Sequence, residues 1–120
     1  MRLLREIIEG IRRACGPDFP ISVRLSVEEF YDTIGYPGQG ILLDEGVEIA
    51  KRLEGFGVDA LNVSSGNYDT AQTSCEPISF TPGWRKYLAR AVKEQVGIPV
   101  ISANLIRTPE QAEAQLTEGT

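Results

Sequence analysis

Three short apolar runs constrain this chain most. They begin at Ile21, Ala60 and Pro99, each thirty-nine residues after the last. Each is followed by a polar loop and then by a stretch with helical periodicity. Parallel strands cannot be joined by a tight turn; they need a crossover of a dozen or more residues, and a helix is the usual crossover. The spacing therefore predicts βα units in a parallel sheet, with helices packed outside and strands inside.

The elements follow from local signals. Leu3, Leu4, Ile7, Ile8 and Ile11 fall on one helical face, opposite Arg5, Glu6, Arg12 and Arg13, and Gly16-Pro17 ends that helix near Cys15. Ile21 to Ser26 reads as a strand entered through Pro20. A long irregular loop follows from about Val27, marked by Tyr36-Pro37-Gly38-Gln39-Gly40. A second helix is predicted from Leu43 to Phe56, burying Val47, Ala50, Leu53 and Phe56, with Gly57 ending it. Leu61 to Ser64 is the second strand, and Ser65 to Ser79 a polar loop. Thr81-Pro82 reads as the N-cap and first position of a third helix that buries Trp84, Leu88, Ala91 and Val92. Pro99 to Ala103 is the third strand. Thr108-Pro109-Glu110-Gln111 starts a fourth helix with the residues of a capping box. The order is α-β-α-β-α-β-α. An open doubly wound sheet and a barrel segment both fit it. Three parallel strands alone leave two bare edges, which something must cover.

Composition removes several function classes. Seventeen acidic residues against twelve basic ones give a net charge of −5, the wrong sign for a nucleic-acid or anionic-membrane partner. There is no histidine, which excludes Ser-His and Cys-His nucleophile pairs and most zinc sites within the chain. Cys15 and Cys75 form no CxxC and are expected to be reduced thiols of a cytoplasmic protein. No apolar stretch approaches the roughly 20 residues needed to span a bilayer.

In parallel α/β folds the working residues sit at the C-terminal ends of strands. Arg24 is the sharpest candidate. Strand alternation sends Ile21, Val23 and Leu25 to the helix side and Ser22, Arg24 and Ser26 to the other. A guanidinium there needs an anion or strong acceptor. A flavin ring supplies one; a carboxylate on a neighbouring strand is the structural alternative. Ser102 to Arg107, ahead of a helix start, can offer backbone N–H groups to a phosphate, or can be a plain turn. Tyr68 lies in a polar loop and can face a substrate, or can simply hold its hydroxyl in water. Gly35, Gly38 and Gly40 lack dinucleotide-fingerprint spacing. Ser64-Ser65-Gly66 lacks the glycine pattern of a nucleophile elbow.

The stretches PISVRLS, GQGILLDEGVEIAKRLEGFGVDALNVSSGNYDT, EPISFTPGWRKYLARAVKEQVGIPVIS and NLIRTPEQAEAQLTEG together resemble the old yellow enzyme family. The likeness is to its branch of NADH:flavin oxidoreductases, enoate reductases and 2,4-dienoyl-CoA reductases. The resemblance implies an α/β fold: residues 1–120 as a piece of one FMN-binding (β/α)8 barrel, about strands five to seven, truncated at both ends. It implies FMN as cofactor, NAD(P)H as hydride donor, and a small-molecule substrate with an activated C=C bond. By the same resemblance Arg24 contacts the flavin pyrimidine ring. Ala103, Asn104, Leu105 and Ile106 hold the phosphate and ribityl chain, and Tyr68 faces the substrate. The family's proton-donating tyrosine and histidine pair lie on a strand outside this chain, so the isolated chain is expected to be inactive. Iron–sulfur and FAD groups of larger members would also lie outside it. Leu42 stands where relatives often carry a threonine cap, which predicts a loosely started second helix. The competing readings are a non-flavin, phosphate-binding barrel enzyme and a non-catalytic α/β module that binds through its strand edges.

Overall fold

A computed structural model describes residues 1–103 and 105–119. Helix α1 (Arg2–Cys15) leads into β1 (Ser22–Ser26), a 3-10 turn (Tyr31–Ile34), α2 (Leu43–Gly55) and β2 (Ala60–Ser64). A single turn, α3 (Ala71–Ser74), then precedes α4 (Lys86–Lys93), β3 (Val100–Ser102) and α5 (Pro109–Thr117). The strands form one parallel sheet in the order β1-β2-β3. Arg24 is in register with Asn62, and Asn62 with Ile101. The α/β alternation and the parallel sheet match the pattern read from the sequence.

The two faces of the sheet differ. Leu61 and Val63 are buried toward the helices with Ile21, Val27, Ala50, Leu53, Leu88, Ala89 and Val92. Burial of each large aliphatic side chain in this cluster contributes about 1.5–3 kcal/mol. On the other face Arg24 and Ile101 are exposed. The first helix is half used: Ile8 is buried and Leu4 and Ile11 pack on the core, while Leu3 and Ile7 of the same apolar face are exposed.

The strand ends opposite the site are latched by one side chain. Arg12 donates to the carbonyls of Pro17, Phe19 and Gly57 and to the Asp59 carboxylate at 2.7 Å. Asp59 also accepts the Ile21 N–H at 2.7 Å, which holds the entry to β1 beside the entry to β2. Those two hydrogen bonds, the backbone one first, keep the Asp59 carboxyl below the usual carboxylate range.

Helix α2 is preceded by Leu42 at the N-cap, whose apolar side chain makes no capping hydrogen bond. Its close approach to the sheet depends on Gly46, which is buried and was not among the positions predicted to be inside. A Cβ at that position would stand 2.1 Å from the Val27 carbonyl oxygen. Only glycine permits this contact.

The start of the third long helix departs from expectation. Thr81-Pro82 is not an N-cap and first helical position; the helix begins at Lys86. Gly83 has φ 74°, and the Trp84 N–H bonds the Thr81 carbonyl at 3.1 Å. Proline followed by a left-handed glycine is the pattern of a type II turn, and a left-handed residue stops helix propagation. Trp84 therefore sits in the turn, against Phe80 and Phe30, and on α4 it is Leu88, Ala89 and Val92 that are buried rather than Ala91. At Thr108, by contrast, the predicted capping box forms in full.

Candidate functional site

The three strands deliver their polar ends to one rim. Arg24 lies on the helix-free face of β1, as alternation requires, and its Nη2 donates to Ser64 Oγ at 3.2 Å. Among the described residues no carboxylate is paired with it. Beside it in the register stands Asn62, whose Oδ1 is buried and finds no hydrogen-bond partner among the described residues. Sequence reasoning did not single out Asn62, although the alternation that points Arg24 inward points Asn62 inward too. A cation with spare donors next to an unsatisfied acceptor is an incomplete arrangement, because buried polar groups are nearly always paired. A planar ring edge carrying both carbonyl oxygens and an N–H would complete it, so these residues fit a flavin pyrimidine.

The loop after β2 folds back on itself. Ser26 Oγ donates to the Gly66 carbonyl at 3.0 Å. Asn67 Oδ1 accepts from the backbone of Asp69 and Thr70, and its amide donates to Glu29 and to the Tyr31 hydroxyl. Ser26, Gly66, Asn67, Tyr68, Ala71, Ser74 and Cys75 line a cleft of about 460 Å³. Tyr68 borders this cleft with its ring fully exposed. Glu28 and Tyr87 pair at the rim; burial, then Asp32, raises the Glu28 carboxyl, and burial with Glu28 pushes the Tyr87 hydroxyl up to about 12.

A second arginine, absent from the sequence reading, sits behind the same strand ends. Arg85 is 6% exposed. Its Nη1 donates to Ser65 Oγ at 2.8 Å and to the Thr73 carbonyl at 2.9 Å. Its Nε and Nη2 converge on the Ala103 carbonyl at 3.0 and 2.6 Å. Glu76 pairs with Nε at 2.9 Å and is itself fixed by the Trp84 indole at 3.1 Å. Burial lowers the Arg85 pKa, and Glu76 offsets that. Removing either partner of such a buried pair costs about 3–5 kcal/mol. Nothing local in the sequence marks Arg85, because its acceptors come from three separate segments.

After β3, Ala103 is held by Arg85, and Leu105 takes φ 42°. A left-handed leucine is rare and costs on the order of 1–3 kcal/mol, and such residues cluster at binding sites. Ile106 is exposed, and Asn104 lies outside the described residues. The rim thus brings together Arg24, Asn62 and Ser64 on the inner face, with Ala103 tied to it through Ser65 and Arg85.

Known proteins resemble this chain over nearly its whole length. The chain is 47% identical over 119 residues to an NADH oxidase of Thermoanaerobacter brockii, covering 99% of the chain and 17% of that protein. It is 32% identical over 127 residues to a cinnamate reductase of Clostridium sporogenes, covering 99% of the chain and 19% of that protein. A solved 2-naphthoyl-CoA reductase, in complex with 2-naphthoyl-CoA, superposes with a TM-score of 0.82 at 28% identity, over 98% of the chain and 17% of that structure. The chain therefore spans less than a fifth of these relatives' length, and its three-stranded sheet is part of a (β/α)8 barrel. The family model for NADH:flavin oxidoreductase / NADH oxidase matches residues 1–120, and the chain belongs to that family.

Proposed function

We propose that the full-length protein containing this chain is an FMN-dependent NAD(P)H oxidoreductase that reduces activated C=C bonds of small molecules. The observation that carries the reading is the Arg24–Asn62 pair: an unneutralised guanidinium beside a buried, unpartnered amide oxygen on one inner layer. Bound FMN would supply hydride transfer from NAD(P)H to the substrate. Arg24 would hold the pyrimidine edge and stabilise the negative charge that gathers there on reduction. The backbone of Ala103, Asn104, Leu105 and Ile106 would hold the phosphate and ribityl chain, and the left-handed Leu105 supports a turn shaped for a ligand. Tyr68, open to solvent over the 460 Å³ cleft, would face the substrate.

In this reading residues 1–120 are one piece of the barrel domain, about strands five to seven. The proton donor and the rest of the phosphate site come from the rest of the barrel, so the piece by itself does not turn over. FAD or an iron–sulfur cluster, if the protein carries them, belongs to other segments; among the described residues no cluster of metal-ligating side chains occurs. The substrate class rests on relatives named for cinnamate and 2-naphthoyl-CoA reduction. Two unpaired, exposed thiols suit a cytoplasmic location.

The test is purification of the full-length protein. The expected result is the yellow absorbance of oxidised flavin, released on denaturation as FMN, with bleaching by NADH or NADPH and recovery on adding an α,β-unsaturated acceptor. A colourless protein that takes up no added FMN overturns the reading in favour of a non-flavin barrel enzyme.

A further inference from the structure

Arg85 has more acceptors than a structural ion pair requires. Glu76 alone would neutralise it, yet Nη1 reaches Ser65 and Thr73 in the loop after β2, and Nη2, with Nε shared between Glu76 and Ala103, reaches Ala103 in the turn after β3. These segments are separate in sequence and follow neighbouring strands of the sheet. The loop after β2 lines the cleft bordered by Tyr68, and the turn after β3 opens the stretch that ends in the left-handed Leu105. Ser65 Oγ completes the tie by donating to the same Thr73 carbonyl at 2.7 Å. The next residue back, Ser64, accepts from Arg24 on the opposite face. The end of β2 is thus gripped by one arginine from each side.

From this geometry we infer that Arg85 is a positioning residue that holds both the cleft loop (66–76) and the turn after β3, so that each loosens when the guanidinium fork is lost. The planar fork is what allows this. One guanidinium presents five N–H donors in fixed directions, whereas a lysine ammonium carries three donors on a flexible stem and cannot satisfy acceptors on both sides at once. The assignment of the turn to the cofactor and of the cleft to the substrate rests on the proposed function; the mechanical role of Arg85 does not.

The experiment uses the full-length protein and two variants, Arg85→Lys and Ser65→Ala. Amide hydrogen exchange is read first, on protein stripped of flavin. Arg85→Lys is expected to speed exchange about tenfold at both Thr73–Cys75 and Leu105–Arg107, while the β2 core around Leu61 keeps its protection; tenfold is the loss of one charge-assisted hydrogen bond. Ser65→Ala, a milder change that leaves the Ala103 contacts in place, is expected to speed exchange at Thr73–Cys75 and to leave Leu105–Arg107 within twofold. Titration with FMN is read second. The dissociation constant is expected to rise about tenfold in Arg85→Lys and to stay within twofold in Ser65→Ala. Unchanged exchange at either segment in Arg85→Lys overturns the inference. If Arg85→Lys does not fold, release of Leu105–Arg107 in Ser65→Ala does the same. A wild-type protein that binds no FMN defeats the proposed function, yet the exchange data still decide the role of Arg85.

Discussion

Gly46→Ala sets two opposing effects against each other at one atom. Inside a helix, alanine is better than glycine by about 1 kcal/mol, so propensity alone predicts a more stable protein. The structure predicts the reverse. The new Cβ would lie 2.1, 2.6 and 2.7 Å from the carbonyl oxygen, Cα and carbonyl carbon of Val27. Carbon–oxygen contacts settle near 3.3–3.6 Å, so α2 or the end of β1 must retreat by on the order of 1 Å. Every atom met is backbone, and no side chain can swing aside. Overpacking of this kind costs about 1–3 kcal/mol, and a rigid main-chain partner puts it at the upper end, leaving a net loss of about 1–2 kcal/mol. The same helix supplies the control. At Gly55 an added methyl group would meet nothing within 4 Å, and φ there is not left-handed, so Gly55→Ala is expected to be neutral or to gain up to about 1 kcal/mol. Thermal or denaturant melts of the full-length protein decide the matter. A Gly46→Ala variant melting at or above the wild type would refute the close-contact argument.

Asp59→Asn removes a carboxylate held below its ordinary pKa by the Ile21 N–H and Arg12. A depressed carboxylate contributes stability that is fully present above its unfolded value of about 3.9 and is lost as pH falls through the lower folded value. The variant should therefore melt below the wild type at neutral pH, and the two curves should converge in acid; a gap that is unchanged down to the lowest pH would contradict this. Thr108→Ala dissolves the capping box at the head of α5 and should cost about 1 kcal/mol locally, read as faster amide exchange over the first turn of α5, with no change in β2. Unchanged exchange there would show that the turn before α5, not the cap, fixes the helix start.

The legible part of this protein was what depends on periodicity. Equal spacing of Ile21, Ala60 and Pro99 gave three parallel strands, and alternation within β1 was enough to put Arg24 on the helix-free face. The same alternation pointed at Asn62, whose unpartnered oxygen became visible only when neighbouring strands were in register. Thr81-Pro82 misled because threonine and proline suit a helix start and a turn equally well; the following glycine, with φ 74°, decides for the turn. Arg85 was illegible for a different reason. It lies next to a tryptophan and ahead of a helix, where a solvated arginine is ordinary, and its burial depends on acceptors in three distant segments. Gly46 was hidden likewise, since only the partner across the contact explains why a helix there must carry no side chain.

The reduction potential of the bound flavin, compared between the wild-type full-length protein and Arg24→Met, tests the central claim most directly. Charge-assisted hydrogen bonds contribute about 1.5–3 kcal/mol, and for a two-electron couple about 1.4 kcal/mol corresponds to roughly 30 mV. With Arg24 against the ring, the potential should fall by about 30–60 mV in the variant while the visible spectrum still reports bound flavin. An identical potential in the two proteins would mean that Arg24 does not face the flavin.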